Sequence, residues 1–299
     1  LSAILLDLAV AVFFALLASD LLRAASRPMS AWISKDDPHT AIVLFTWVAA
    51  CGVLGGRLAS LLPAAPYFFG GLGILGWVAA IAMSSAFLRK QFKDRAARSV
   101  RGSWLLAVVA TQSVSILAST DAVRLGSPLA LDLSLCLWAL GLGLYVLLIA
   151  LLVRRLARGE VGLDGLAPDY WITMGALAIS TVALTSVLHG ATAPPVAQLL
   201  LGAAIATWLG GAAWIPYLCA AEIAGVRRHG IAITYDPLRW STVFPLGMFS
   251  LATFEVARMV GLPILDPVAQ FFFWPALALA LLNSAGAVRA IAEANRQTC

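Results

Sequence analysis

The chain has 299 residues, of which 61% are hydrophobic and only 12% charged, with a formal net charge of +5 and a mean hydropathy of +0.92. Soluble domains carry roughly 25% charged residues, so the composition excludes a water-soluble globular protein and defines a polytopic membrane protein. The apolar runs are too long and too many for a secretory signal, and Cys51, Cys136, Cys219 and Cys299 lack the spacing of a metal or disulfide framework.

A helix needs about 20 mostly apolar residues to cross the hydrocarbon core. Such runs fall at about 1–22, 41–62, 66–88, 104–123, 129–153, 170–190, 195–223, 240–262 and 268–291. Continuous runs, rather than short alternating segments, exclude a membrane barrel. The predicted fold is all-α and polytopic, with nine transmembrane helices and residues 1–299 as one domain.

The first span is a plain apolar run followed by Arg23, Arg27 and Lys35. The second, "LFTWVAACGVLGGRLAS", carries Gly52, Gly55, Gly56 and the intramembrane Arg57. The third leads into "LRKQFKDRAARSVRGSW", the most basic loop of the chain. The fourth, "GSWLLAVVATQSVSILAS", holds Thr111, Gln112, Ser113 and Ser115, and the fifth ends at Arg154, Arg155 and Arg158. The sixth, "DYWITMGALAISTVALTS", holds Thr173, Gly175, Ser180 and Thr181, and the seventh runs out to Arg227 and Arg228. The eighth, "RWSTVFPLGMFSLATFEVARM", combines a Phe244–Pro245 break, Gly247, Ser241, Thr242, Ser250 and Thr253. The ninth is apolar up to Arg289, with Arg296 in the tail.

Basic residues occupy alternate loops, and the other loops hold only Arg124. Positive charge stays on the cytoplasmic side, which places the C-terminus there and the N-terminus outside. That odd topology, in a chain opening directly on a span at Leu1, predicts a helix missing upstream. The loop 89–101 reads as this orientation signal, with a regulatory contact as the other reading.

Any single Ser or Gly in a span reads as helix packing. Four alternate spans with glycine and small polar residues at mid-depth suit an inner ring of helices, each backed by an outer one, around a central path. Arg57, Glu255 and Arg258 lie toward the outer ends of spans two and eight. An ionisable group there needs a partner or a water-filled cavity, so Arg57 either pairs with Glu255 or helps attract anions to the outer mouth. Asp7, Asp20, Asp132 and Glu222 sit near span ends as solvated or structural groups. No acidic or histidine chain crosses the middle of the bilayer, which argues against a proton-driven pump. His39, His189 and His229 fall in or near different loops and suggest neither a metal site nor an acid–base cluster.

The segments "FTWVAACGVLGGRLA", "WLLAVVATQSVSILA", "DYWITMGALAIS" and "WSTVFPLGMFSLAT", taken in order over nearly the whole chain, resemble the tellurite-resistance/dicarboxylate transporter family. That family includes slow-type plant anion channels, yeast malate carriers and sulfite exporters. The resemblance implies ten helices in five hairpins, odd helices lining a central pore, an aromatic gate on the ninth, and a homotrimer with one pore per subunit. It places Phe244 at the gate, with Pro245 and Gly247 bending the helix so that the ring points inward. Gln112, Ser113, Gly175, Thr181, Ser250, Thr253 and Gly52 become pore-lining positions, and the family's first helix has no counterpart here. Gly52 after Cys51 replaces a Thr-Asn pair, and Thr173 stands where Asn is common, so two amides leave the implied pore wall.

The expected function is passage of small inorganic or organic anions through a central pore gated by Phe244. One alternative is a coupled carrier or exporter of C4-dicarboxylates, sulfite or tellurite; another is an inactive or truncated pore. The sequence predicts a multi-pass protein of the plasma or inner membrane embedded in the lipid bilayer. It predicts no enzyme, since no nucleophile–base constellation is visible, and no cofactor, metal or nucleic-acid partner.

Overall fold

The computed structural model describes residues 2–26, 39–91, 101–160, 168–190, 194–230 and 235–297. Among them the chain forms nine α-helices and no strand: α1 (Ser2–Ser26), α2 (His39–Leu58), α3 (Ala65–Gln91), α4 (Leu106–Leu125), α5 (Pro128–Ala157), α6 (Ile172–Leu188), α7 (Pro194–His229), α8 (Trp240–Val260) and α9 (Asp266–Gln297). The nine spans expected from hydropathy fall on these nine helices. Eight helical stretches are long and apolar enough to cross a membrane, and α2 adds a shorter apolar run, Ile42–Leu58. Most of the basic loops expected after spans one and three, at 27–38 and 92–100, lie outside the described residues.

The helix ends follow local chemistry. Gly126 and Gly261, at φ 60° and 66°, stop α4 and α8 in the left-handed conformation that favours glycine. Pro128 then opens α5 behind the Ser127 cap, and Pro263 opens the short turn before α9. Helices α4, α6 and α8 each begin on a 3-10 turn, Gly102–Leu105, Pro168–Trp171 and Pro237–Arg239.

The chain divides into two compact units, Leu1–Ala96 and Ala97–Cys299. In the first, α2 and α3 form a hairpin, and a Cβ on Gly76 of α3 would stand 3.1 Å from Cγ2 of Val48 on α2. Phe13 of α1 packs edge-on against Trp47 and Phe69, and Trp47 donates to Asp20 at 3.1 Å. Asp20 is thus a structural acceptor, one of the two roles expected of it. Cys51 is buried here, as a small hydrophobe should be.

The second unit is three hairpins, α4–α5, α6–α7 and α8–α9, with α6 packed between α4 and α8. The buried share of each most apolar stretch separates inner from outer helices. It is 89% in Pro168–Leu188, 67% in Gly102–Leu125 and 44% in Pro237–Val260, against 22%, 22% and 11% in their hairpin partners. The alternation read from small polar residues is therefore an alternation in depth. Cys136 and Cys219 lie exposed on the outer helices α5 and α7.

Candidate functional site

The centre of the second unit is the contact between α6 and α8. Gly175 faces Pro245 so closely that a Cβ on the glycine would lie 2.9 Å from both Cβ and Cγ of the proline. The expected break at Phe244–Pro245 is absent: α8 is helical from Trp240 to Val260 with Pro245 in its second turn. A proline there removes the one donor that would serve the Ser241 carbonyl. The ring is accommodated where α6 has no side chain.

Next along α8, Phe249 is 2% exposed. Its ring stacks on Trp208 of α7 at 6.2 Å and meets Phe272 of α9 edge-on at 4.8 Å. Trp208 also donates to Thr253 at 2.9 Å, so α8 is fastened to α7 by one indole through both its face and its N–H. Sequence alone passes over Phe249 in favour of Phe244, since nothing local distinguishes two aromatic residues of one apolar span.

The mid-depth polar residues are brought against the outer helices. Gln112 donates to the Trp138 carbonyl of α5 at 3.1 Å, and its amide fills the place where Gly141 has no Cβ. Ser115 and Ser134 donate to each other's carbonyls, both at 2.8 Å. Trp138 in turn donates to the Ser180 carbonyl of α6. Thr181 meets Thr207 of α7 at 2.9 Å, and Ser250 donates to the Ala269 carbonyl of α9 at 2.7 Å. Ser113 folds back on the Val109 carbonyl and Thr173 on Tyr170. Each bond between helices contributes about 0.6 kcal/mol in a membrane protein, and those of Gln112, Ser115, Thr181 and Ser250 bind each inner helix to its own hairpin partner. Gly52, the remaining small residue expected on the path, is buried on α2 of the first unit.

The 3-10 turns that open α4 and α6 are joined by a backbone-to-carboxylate hydrogen bond and a close backbone approach. Asp169, 3% exposed, accepts from the Ser103 N–H at 2.9 Å. A Cβ on Gly102 would stand 2.3 Å from the Asp169 carbonyl oxygen, so only glycine fits. No sequence motif announces this joint.

One face of α8 stays open. Phe244 and Gly247 are partly exposed, and Leu251, Phe254 and Arg258 continue the stripe as exposed residues. A Cβ on Gly247 would have nothing within 4 Å. Toward the far end of this face, Glu255 lies 3.9 Å from Nε2 of His189, and Arg258 sits 5.6 Å from the Phe254 ring centroid. Arg57 ends α2 as an exposed residue of the first unit. No cluster of three or more His, Cys, Asp or Glu able to hold a metal occurs among the described residues.

Inner helices rich in glycine and hydroxyl groups, each bonded to an apolar outer helix, define a polytopic α-helical membrane protein of the transporter and channel class. The particular family follows from comparison. Residues 1–288 match the model of the voltage-dependent anion channel (SLAC1) family, and the chain belongs to that family. It is 35% identical over 139 residues to an uncharacterised membrane protein of Mycobacterium tuberculosis, covering 46% of this chain and 71% of that protein. An uncharacterised transporter of Methanocaldococcus jannaschii is 23% identical over 152 residues, 49% of this chain and 44% of its own length. A second uncharacterised transporter from that organism is 22% identical over 143 residues, covering 46% and 41%.

Proposed function

We propose that residues 1–299 act as a single domain that passes small anions across the plasma or inner membrane along the Phe244 face of α8. The basic helix ends and the C-terminus would be cytoplasmic, since lysine and arginine concentrate in alternate loops. The observation that carries the reading is the open stripe: α4 and α6 are buried at mid-depth, whereas α8 keeps Phe244 partly exposed beside open space at Gly247. An apolar ring at that position closes a path by filling it and excluding water.

Gln112, Thr181, Ser250 and Thr253 then hold the walls upright through their bonds to the outer helices. A path without fixed charge at mid-depth binds anions lightly, which suits passage of chloride, nitrate or small carboxylates over tight capture. We assign the assembly as a homotrimer with one path in each subunit, by resemblance to the family.

The test is anion flux into proteoliposomes for the wild type and Phe244→Ala at matched protein density. Low flux in the wild type with a large anion-selective rise in the variant supports the gate. Equal, substantial flux in both defeats it and moves the barrier elsewhere. Silence in both defeats the pore reading. Saturating uptake that follows an imposed proton gradient would favour the coupled carrier.

A further inference from the structure

His189 and Glu255 meet at the ends of α6 and α8 remote from the basic loops. Nδ1 of His189 lies 2.7 Å from the Thr185 carbonyl oxygen. A carbonyl only accepts, so Nδ1 carries the proton and the neutral ring presents a lone pair at Nε2. That lone pair faces Oε2 of Glu255 at 3.9 Å, acceptor against acceptor. One added proton turns the contact into an ion pair. The histidine side chain is 53% exposed and the glutamate 20%, so the ring faces the surroundings while the carboxylate is largely covered. Imidazole is the side chain that ordinarily titrates between about pH 5 and 8.

The position matters as much as the pair. Glu255 follows Phe244 by eleven residues, roughly three helical turns, and so shares its face of α8. The other charged groups around this end, among the described residues of the second unit, are Arg258 on α8, Asp121 and Arg124 on α4, Asp132 on α5 and Asp266 on α9. Helix α4 comes within reach through Val123, 3.6 Å from the Cβ position of Gly190, and α5 through Leu131 at 4.0 Å. Helix α7 brings no charge to this end. Within this group of described residues, His189 is the only imidazole.

We propose that His189 and Glu255 form a proton-binding pair at the outer mouth of the anion path, where the carboxylate repels anions until protonation of His189 neutralises it. The inference rests on the proposed path past Phe244. One unit charge about 7 Å from a passing anion in water-like surroundings alters its local concentration by about threefold. Wild-type flux therefore rises about threefold as the external pH falls from about 8 to about 5.5. His189→Gln removes the group that gains the proton, leaves the Glu255 charge unchanged across the range and holds flux at the low level at every pH. Glu255→Gln removes the repulsion, so flux already stands at the high level near pH 8 and rises about threefold further in acid as His189 gains its own positive charge. A purely structural contact would move both variants the same way, which separates the two accounts.

The experiment measures chloride and nitrate flux against external pH for wild type, His189→Gln and Glu255→Gln, each in the Phe244→Ala background for signal. A flat, low profile in His189→Gln together with a raised profile in Glu255→Gln establishes the pair as a mouth switch. Parallel changes in the two variants, or an unaltered pH profile in His189→Gln, overturn it. A double-mutant cycle on Tm in detergent, at about pH 5.5 and about pH 8, reads the pair without any transport. Coupling confined to the acid condition supports the ion pair, and its absence there overturns the inference whatever the flux. Flux absent throughout with coupling intact would sink the pore reading and leave the proton-binding pair standing.

Discussion

Helices α6 and α8 are neighbours with similar composition and opposite roles. Every side chain of α6 from Ile172 to Thr185 is buried, whereas α8 buries one side and leaves a stripe from Phe244 to Arg258 open. The contact that joins them is Gly175 against Pro245, where a missing Cβ on one helix receives a ring from the other. Burial all round makes α6 a post that α4, α5, α7 and α8 lean on. One-sided burial leaves α8 with Phe249 locked on the covered side and Phe244 half-buried on the open one.

The largest effect expected from breaking this contrast is at Phe249. Phe249→Ala removes the ring between Trp208 and Phe272 and should destabilise the protein by about 3–5 kcal/mol, read as a drop in Tm in detergent. Gly175→Ala comes next. Its Cβ cannot fit against Pro245 without displacing α8, and overpacking of this kind costs about 1–3 kcal/mol; an unchanged Tm would show that the two helices separate easily. Phe244→Ala sharpens the contrast from the open side. It should leave stability within about 1 kcal/mol of wild type while raising anion flux about tenfold, equivalent to about 1.4 kcal/mol off the barrier. The smallest effects are expected at Ser115 and Gly247. Ser115→Ala loses its bonds to Ser134 and should cost about 0.6 kcal/mol. Gly247→Ala meets nothing within 4 Å and gains helix propensity of up to about 1 kcal/mol, so a fall in Tm there would mean that the face is closed.

Several residues that the sequence suggests for one purpose serve another. Gln112, Thr181, Ser250 and Thr253 read as path-facing because polar groups in a span need satisfaction. Satisfaction comes from carbonyls and hydroxyls of α5, α7 and α9, and from the Trp208 indole, instead. Their helical spacing gives the face on which they lie, and no spacing reveals which neighbour covers that face. His189 reads as one of three scattered loop histidines, yet it ends α6 beside Glu255, which lies far along the chain on another hairpin.

What the sequence determined by itself was the membrane class, the positions of the nine helices and the alternation of inner and outer ones. All three follow from properties local to a span: about twenty apolar residues cross a bilayer, and glycine or serine at mid-depth admits a close neighbour. Only the tertiary structure decided that Phe249 is locked and Phe244 half free, that Pro245 sits over Gly175 inside an unbroken helix, and that His189 faces Glu255. These depend on how the hairpins are rotated against one another. A helix's own periodicity leaves that rotation open, and close packing of large against small side chains across the interface fixes it.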